Sequence, residues 1–467
     1  MPDDADVSPT HVVTAFLRNR GELLLLRRSD AVGTYSGQWG GVSGFAEGDP
    51  DAQVRAEIRE ETGLEPGESV SFVRSGRPVA FEDPDLEREW VVHPYLFDCE
   101  RREVALSEEH DAFAWLSPTA MLEVDDGHEG ADDERDGIDD GHVPADVEDV
   151  ETVPELWTAY ERVAPTVRSI AADGEHGAAY LSLRALEVLR DRAGVLVAER
   201  AAVGADPDGE WDELAALAER LLEARPSMAV LRNRVNRVMA EAGDGGETAT
   251  APGAPAVLEA AISGLERGAA ADADAAATAS DRLEGTVLTL SRSGTVLEAL
   301  RGADLSRVFV AESRPAREGV AVAEELAESE AVDCPVAVHT DAAIAHVLAT
   351  EDVDRVVVGA DTIRPDGAVV NKTGTRGLAL AADREGVPVS VVAATDKVST
   401  REEVSLESGD RTVVYDGPAD LDALNPTFDV TPADCVDETV SERGALEADS
   451  IDELVAELRA LEGWRDR

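Results

Sequence analysis

Five short apolar segments in the C-terminal part of the chain restrict its fold more than any other feature. They are TVLTL (286–290), RVFVAE (307–312), PVAVHT (335–340), RVVVGAD (355–361) and VPVSVVAAT (387–395). Each has the length and Val content of a strand buried on both faces, and helical stretches separate them. Strands that alternate with helices form parallel sheets joined by crossovers. Residues 281–467 are therefore predicted to form a doubly wound, Rossmann-like parallel sheet of the α/β class.

The composition changes along the chain and predicts three further parts. Residues 1–122 combine strand patterns, a hairpin around the Asn-Arg-Gly sequence at 19–21 and one helix, which indicates an α+β domain. Residues 123–151 are rich in Asp and Gly and nearly devoid of large apolar side chains, which predicts an acidic linker. Residues 152–280 repeat apolar residues every three and four positions, and this period predicts a helical subdomain.

The chain carries 98 acidic against 42 basic residues, a formal net charge of -56, while 43% of its residues are hydrophobic. That apolar content is enough for folded domains, and the acids are spread over the whole length. We interpret them as a solvated coat suited to a high-salt cytoplasm, where ions screen their repulsion; the alternative is an acidic interaction surface. No basic stripe is present to displace counterions, so direct nucleic-acid binding is not expected.

Membrane insertion and export are not expected from this sequence. No apolar run approaches the roughly 20 residues that span a bilayer, and the acidic start MPDDADVSP lacks the basic and apolar regions of a signal peptide. The sequence thus predicts a cytoplasmic protein. Its three cysteines, Cys99, Cys334 and Cys435, are scattered and form neither a disulfide framework nor a metal-ligand pair, so we expect buried thiols.

Three glutamates in the N-terminal domain form a candidate metal site. Glu57, Glu60 and Glu61 lie on one predicted helix that ends at Gly63, and spacings of three and four place them on neighbouring faces. Their mutual repulsion is costly unless a cation lies among them. Hard carboxylate ligands of this kind suit Mg²⁺ or Mn²⁺.

The stretch from 39 to 64, WGGVSGFAEGDPDAQVRAEIREETGL, resembles the box of the Nudix hydrolases. The resemblance implies that Glu57, Glu60 and Glu61 hold the divalent metal, and that Glu60 and Glu57 are catalytic, with a glutamate taking a proton. It also implies hydrolysis of a nucleoside diphosphate linked to another group, with metal ions neutralising the diphosphate and activating water. The alternative is a Nudix fold that only senses a nucleotide.

This sequence departs from the Nudix pattern at two positions. Ala56 stands where the family has an arginine before the first helix glutamate, and Gly48 stands at the upstream glutamate position, with Glu47 one residue early. A nearby arginine, Arg55 or Arg59, is expected to replace the missing positive charge.

Two loops of the predicted parallel sheet have the composition of phosphate-binding turns. Each joins small or hydroxyl residues to the start of a helix, where backbone N–H groups favour an anion. Both belong to one sheet, whose ligands gather at the carboxyl ends of its strands, so they predict a phosphorylated small molecule. The candidate binding residues are Ser291, Arg292, Ser293 and Gly294 in the first loop and Asn371, Lys372, Gly374 and Thr375 in the second.

Asp361 ends the fourth predicted strand at the same rim, where it would act as an acid or base or bind sugar hydroxyls; the alternative is a helix-capping aspartate. The chain contains two lysines, Lys372 and Lys397, although arginine is abundant. We therefore expect each lysine to have a specific role, against the alternative that both are surface residues.

Several of these residues resemble the signature of the family of initiation factor 2B alpha, beta and delta subunits, which includes ribose-1,5-bisphosphate isomerase and methylthioribose-1-phosphate isomerase. The matching segments are Gly359–Asp361, Asn371–Thr375, Arg225–Ser227, Glu312–Pro315 and Asn425–Pro432. The resemblance implies a phosphorylated ligand bound through Arg225, Arg314, Lys372 and Lys397, and a homodimer or larger ring. In the isomerases a cysteine works with the aspartate to move a proton. Ser291 occupies that position here, and its pKa is far higher than that of a thiol.

The sequence thus leaves three functional hypotheses. The first is a Mg²⁺-dependent pyrophosphohydrolase of the ADP-ribose or sugar nucleotide class, fused to a domain that binds a sugar or nucleotide phosphate. The second is a non-catalytic regulatory or initiation factor 2B-like protein that senses phosphorylated ligands. The third is an aldose–ketose isomerase of the ribose-1,5-bisphosphate type.

Overall fold

The computed structural model describes residues 9–67, 69–122, 150–244 and 252–466. The chain divides into two compact units, which we call the first and the second unit. The first consists of 1–166, 187–214 and 253–262, and the second of 167–186, 215–252 and 263–467. The acidic linker predicted over 123–151 lies outside the described residues except for its last two positions. Within the described ranges, every helix is too short or too polar to traverse a lipid bilayer.

The first unit is strand-rich, and eight of its described strands form one sheet. The strands are β1 (Thr10–Asn19), β2 (Glu22–Arg28), β3 (Trp39–Gly40), β4 (Val42–Phe45), β5 (Val70–Ser75), β6 (Val79–Asp83), β7 (Arg88–Cys99) and β8 (His110–Leu116). β1 pairs in parallel with β7 and antiparallel with β4 and β2. The predicted hairpin between β1 and β2 is confirmed, with Arg20 and Gly21 at positive φ in its turn.

The predicted glutamate-bearing helix is α1 (Pro50–Thr62). It begins after Asp49, whose side chain caps the first turn, and it ends at Gly63 in the left-handed conformation, as predicted. Its buried residues Val54 and Ile58 pack in the apolar cluster on one face of the sheet. This packing fixes which faces of α1 present the glutamates.

A short helix, α2 (Leu156–Glu161), packs in the apolar cluster on the other face of this sheet. Tyr160 and Val163 are fully buried there beside Phe16 of β1. The boundary predicted at residue 152 therefore differs from the structure, in which residues 150–163 belong to the core of the first unit. The helical period predicted a helix, but a period does not specify the sheet that the helix covers.

The helical tract predicted between the linker and the parallel sheet contains five more helices in its described residues. They are α3 (Val167–Ala172), α4 (Ala178–Val203), α5 (Glu210–Ala224), α6 (Ala229–Gly243) and α7 (Ala254–Ser280).

The five predicted strands of the C-terminal region are confirmed as β9 (Glu284–Leu290), β10 (Asp304–Ala311), β11 (Val336–His339), β12 (Arg355–Gly359) and β15 (Val389–Val392). The remaining strands are β13 (Thr362–Ile363), β14 (Val369–Lys372), β16 (Phe428–Thr431), β17 (Glu438–Ser441) and β18 (Gly444–Ala445). The helices are α8 (Gly294–Gly302), α9 (Glu318–Glu328), α10 (Ile344–Thr350), α11 (Thr375–Glu385) and α12 (Ala448–Ala460).

The main sheet of the second unit has the order β11-β10-β9-β12-β15-β17-β18, and all neighbours are parallel except β17 and β18. The prediction of a doubly wound parallel sheet is therefore confirmed. Because β9 lies between β10 and β12, the chain runs toward opposite edges from this point. Ligands of such sheets bind at the carboxyl ends of the strands beside this reversal, which is where the loops after β9 and β12 lie.

His110, the first residue of β8, makes the stability of the first unit depend on pH. Its ring is buried, and Nδ1 has no hydrogen-bond partner among the described residues. Burial, with help from the charge of Arg28, lowers the pKa of His110 from 6.5 to about 4. The folded state therefore binds this proton less tightly than the unfolded chain does. Neutral His110 contributes about 3 kcal/mol to the free energy of unfolding above pH 6.5, and this contribution decreases as pH falls and is lost at about pH 4.

We expect the urea midpoint of the wild type to fall between pH 7 and pH 4 more steeply than that of His110→Phe. Five of the six tryptophans lie in the first unit, so fluorescence follows its unfolding. Parallel pH profiles for the two proteins would contradict the prediction.

Candidate functional site

Two of the predicted metal-binding glutamates converge between α1 and β4. The carboxylate of Glu61 is 3% exposed and accepts the backbone N–H of Ser43 at 3.2 Å. Glu57, one helical turn earlier, is partly buried and accepts a hydrogen bond from Gln53 at 2.6 Å. Burial raises the pKa of Glu57, and burial with the charge of Glu57 raises the pKa of Glu61 well above its usual range. The pair is therefore unstable as two free anions.

Glu60 is exposed on the same helix, and its negative charge also raises the pKa of Glu57. The described residues contain no group of three His, Cys, Asp or Glu side chains already arranged around a common metal position. The site is thus a repelling carboxylate pair, Glu57 and Glu61, with Glu60 at its solvent edge. Its charge and its hard oxygen donors fit Mg²⁺ or Mn²⁺.

Gly44 of β4 makes room for this carboxylate pair. A Cβ atom at Gly44 would lie 1.9 Å from Oε1 of Glu57, closer than any real contact allows. Glycine is therefore required for Glu57 to lie against β4. Residues 39–48 contain four glycines, and the sequence alone does not show that Gly44 is the one in contact with Glu57.

We expect Gly44→Ala to lower diphosphate hydrolysis by about 10²-fold, because the new methyl group displaces the Glu57 carboxylate by an ångström or more. Initial rates with saturating Mg²⁺ measure the effect. Gly33→Ala is the matched control, since a Cβ at Gly33 meets nothing within 4 Å and its φ is not positive. Equal rates for the two variants would contradict the assigned role of Gly44.

Two charged residues that sequence reasoning missed also face the pair. The charge of Glu109, in the turn before β8, raises the pKa of both Glu57 and Glu61. Arg28 of β2 has the opposite effect on Glu61, and burial lowers its own pKa. A single acid or arginine gives no signal in a chain with 30% charged residues, so only the fold reveals these two.

The structure accounts for one of the two departures from the Nudix pattern. Gly48 has a φ of 104°, a conformation that side chains rarely adopt, so a glutamate at this position would be strained. Arg55 lies over the rings of Phe72 and Phe97, and Arg59 is paired with Glu65 at 3.1 Å. The expectation that Arg55 or Arg59 replaces the missing arginine stays a prediction. Both have these other partners, whereas the charge of Arg28 lowers the pKa of Glu61.

In the second unit, Asp361 and the two lysines lie within electrostatic range of one another. Asp361 follows β12, and its N–H donates to the carbonyl of Val370 at 2.9 Å. Burial raises the pKa of Asp361, while the charges of Lys397 and Lys372 oppose that rise. Lys397 is 5% exposed. Asn233 of α6 holds it in place by donating to the carbonyls of the residues on either side.

Three further groups complete the surroundings of Asp361. Lys372 is paired with Glu318 at 2.6 Å. The charges of Glu407 and Glu318 both raise the pKa of Asp361. Glu407 also lies within 4.0 Å of Arg225 and accepts the hydroxyl of Ser227. The predicted Arg225 segment therefore reaches the same site as Asp361.

The first predicted phosphate loop has a defined backbone conformation. Ser291 is buried with φ 62°, and its N–H donates to the hydroxyl of Ser313 at 2.6 Å. The hydroxyl of Ser293 caps α8, which begins at Gly294. Arg292 is more than half exposed and lies 3.5 Å from Glu325.

Arg314 also has an exposed side chain, and its N–H donates to Asp341 at 2.7 Å. The structure thus brings Ser291 and Ser293 to the rim of the sheet but leaves the side chains of Arg292 and Arg314 at the solvent boundary.

The second predicted loop differs from the expectation. The carboxylate of Asp429 in β16 accepts the N–H groups of Gly374 and Arg376 at the start of α11, at 2.8 and 3.1 Å. The hydroxyl of Thr375 donates to the carbonyl of Lys372 and accepts from Asn371. The helix start predicted to bind phosphate therefore already holds an anion, because β16 places a carboxylate there. Phosphate contacts by Asn371, Gly374 and Thr375 stay predictions.

The sequence matches the Initiation factor 2 subunit family over residues 174–448 and the NUDIX domain over residues 8–134. It is 35% identical over 306 residues to the ribose 1,5-bisphosphate isomerase of Haloterrigena turkmenica, covering 60% of this chain and 89% of that protein. The corresponding protein of Haloferax volcanii is 33% identical over 303 residues, covering 61% and 90%.

Methylthioribose-1-phosphate isomerase of Pseudomonas aeruginosa is 38% identical over 167 residues; the match covers 33% of this chain and less than half, 46%, of that protein. Among solved structures, translation initiation factor eIF-2B of Pyrococcus horikoshii aligns with a TM-score of 0.50 and 27% identity. That alignment covers 61% of this chain and 97% of the other.

Proposed function

Because this chain belongs to the initiation factor 2 subunit family and carries a NUDIX domain ahead of it, we propose that it joins a hydrolase to a sugar-phosphate site. In this proposal the first unit hydrolyses the diphosphate of a nucleoside-diphosphate derivative with Mg²⁺ or Mn²⁺. The second unit binds a phosphorylated sugar or nucleotide. The observation that carries the proposal is the carboxylate pair of Glu57 and Glu61. Glu57 lies against Gly44, and the pKa of both carboxyl groups is raised.

In the first unit, Glu57, Glu60 and Glu61 would hold the cation. When bound, the cation neutralises the diphosphate and makes a water molecule more acidic. Glu57 or Glu60 would accept the proton of that water. Glu109 is a second acid that faces the same pair, and Arg28 balances part of the negative charge.

ADP-ribose or a related sugar nucleotide is the proposed substrate class. Hydrolysis of its diphosphate releases a ribose phosphate, which is a chemical relative of the compound named for the two haloarchaeal isomerases. One chain would then produce a sugar phosphate in its first unit and recognise a sugar phosphate in its second.

In the second unit, Lys372 and Lys397 would bind the phosphate group, and Asp361 would bind sugar hydroxyls or move a proton. The predicted roles of Arg225 and Arg314 belong to the same proposal. Ser291 favours binding over isomerisation, since a serine hydroxyl does not supply a thiolate or an easily lost proton. A homodimer or larger ring also stays a proposal.

The second candidate function is therefore non-catalytic sensing of phosphorylated ligands, and Ser291 is the observation that favours it. An aldose–ketose isomerase is the third candidate, favoured by the names of the relatives.

³¹P NMR of the full-length protein in molar KCl distinguishes these functions. With Mg²⁺, we expect the diphosphate signals of ADP-ribose or a sugar nucleotide to be replaced by monophosphate signals, and chelation of the metal to prevent this. Ribose 1,5-bisphosphate should show broadened signals and no new species. Intact diphosphates throughout the panel would reject the hydrolase and leave sensing, whereas a new bisphosphate species would establish the isomerase.

A further inference from the structure

A cavity of about 280 Å³ in the second unit has a wall rich in arginine, and the proposed function does not use it. Arginines outnumber acids four to three among its lining residues, in a chain with more than twice as many acids as bases. The charged lining residues are Arg234, Arg237, Arg267, Arg443, Asp274, Asp396 and Glu442. The cavity lining thus has more basic than acidic side chains, although the chain as a whole is strongly acidic.

Two of the three acids are already bound to protein donors. Asp396 is 3.1 Å from Nε of Arg234 and 3.6 Å from Nη2 of Arg237. Glu442 accepts both the N–H of Thr395, at 2.9 Å, and its hydroxyl. Their charges are thus directed into the wall, which lowers their repulsion toward an anion inside the cavity.

The arginines keep donors available for a ligand. Arg237 makes two long contacts, 3.6 Å to Asp396 and 3.5 Å to Glu457, and both involve its Nη2 atom. Arg267 is paired with Glu241 at 2.7 Å, again through Nη2. Arg443 donates to Glu457 through Nη1 and Nη2, at 3.1 and 3.3 Å. A guanidinium has five N–H donors in a planar fork, so each of these three side chains has further donors to offer.

Small residues of α7 also line the cavity, beside Arg267 of the same helix. Gly264 and Gly268 lie one helical turn apart on α7, and Ala271 continues the same face. A Cβ atom at Gly264 would come within 2.9 Å of Val238, so glycine allows α7 to approach α6 this closely. The cavity has space for a phosphate group and a few further atoms.

We propose that this arginine cavity binds a small phosphate ester through Arg237, Arg267 and Arg443. Planar guanidinium groups match the oxygen geometry of a phosphate, and bidentate contacts of this kind are strong. The carboxylate contacts of Arg237 are long enough for a bound phosphate to compete with them. In molar salt the general repulsion from the acidic surface is screened, whereas direct contacts within the cavity persist.

The cavity also shares a structural element with the site around Asp361. The turn Thr395–Lys397 places Asp396 on the cavity wall and Lys397 beside Asp361. A phosphate that draws Arg237 away from Asp396 would remove one of the contacts that hold this turn. The two phosphate sites are therefore coupled, an inference that rests on the proposed function of the second unit.

Equilibrium dialysis of the full-length protein against inorganic phosphate in molar KCl tests both statements. We expect the wild type to bind two equivalents of phosphate. The double variant Arg237→Gln/Arg443→Gln and the single variant Lys372→Met should each bind one equivalent. Arg307→Gln is the matched control, since it removes one exposed, paired arginine of the same unit that does not line the cavity. If the two sites are coupled, the wild-type binding isotherm differs from the sum of the isotherms of the two variants. A wild-type isotherm equal to that sum would overturn the coupling.

The remaining outcomes separate the two sites. If the wild type binds one equivalent that only Lys372→Met abolishes, the cavity proposal is overturned and the proposed function stands. If only the arginine variant abolishes it, the cavity proposal is supported and the site around Asp361 fails. Two equivalents in every variant, or none in the wild type, would overturn the cavity proposal. Arg267→Gln, on an exposed side chain, replaces the double variant if the latter does not fold.

Discussion

Replacing Glu57 and Glu61 together by glutamine is expected to lower diphosphate hydrolysis by at least about 10²-fold. Glutamine keeps the shape of each side chain and its capacity to accept a hydrogen bond, so the contacts with Gln53 and Ser43 can persist. The substitution removes both negative charges that would hold the cation, together with one of the two proposed proton acceptors. Because the wild-type pair is self-repelling without a cation, the variant should fold at least as stably in the absence of metal.

Initial rates at several Mg²⁺ concentrations, with unfolding midpoints in chelator, measure both effects. Glu65→Gln is the matched control, since this exposed glutamate pairs with Arg59 just beyond the same helix. A double variant that keeps wild-type rates at low Mg²⁺ would exclude the pair as the metal site. Loss of activity together with loss of folding would assign Glu57 and Glu61 a structural role instead.

Replacing Ser291 by cysteine is expected to raise isomerisation of ribose 1,5-bisphosphate by at least about 10²-fold over the wild type. The two side chains are similar in size, and the backbone of Ser291 is held by its own N–H bond to Ser313, so the loop should not change. A thiol has a pKa near 8.5 and supplies the proton-transfer group that a hydroxyl lacks. The rate should therefore rise with pH through the range in which the thiol ionises.

Ser293→Cys is the matched control, because it makes the same chemical change two residues later, at the cap of α8. Adding Asp361→Asn to Ser291→Cys should remove the gained activity if Asp361 takes part. An inactive Ser291→Cys variant that still binds the bisphosphate would refute the assignment of the thiol position. It would also strengthen the sensing function.

The local sequence determined the elements that carry the chemistry. The spacing of Glu57, Glu60 and Glu61, and the glycine at 63, specified a helix with its carboxylates grouped, because helix period and caps are local properties. The apolar segments of the C-terminal region specified the strands of the parallel sheet, with Asp361 just after β12. These features depend on residues a few positions apart, so one sequence is enough to find them.

Only the tertiary structure decided which distant groups meet at each site. The sequence does not distinguish Gly44 from the other 37 glycines or Glu109 from the other 97 acids. In the folded chain both lie against the carboxylate pair on α1. Asp429 reached the start of α11 through pairing of β16 with β14, which no local pattern encodes. Such contacts join residues on different elements of the fold. In a chain this rich in acids, the functional carboxylates differ from the others by their burial and their neighbours, which arise only on folding.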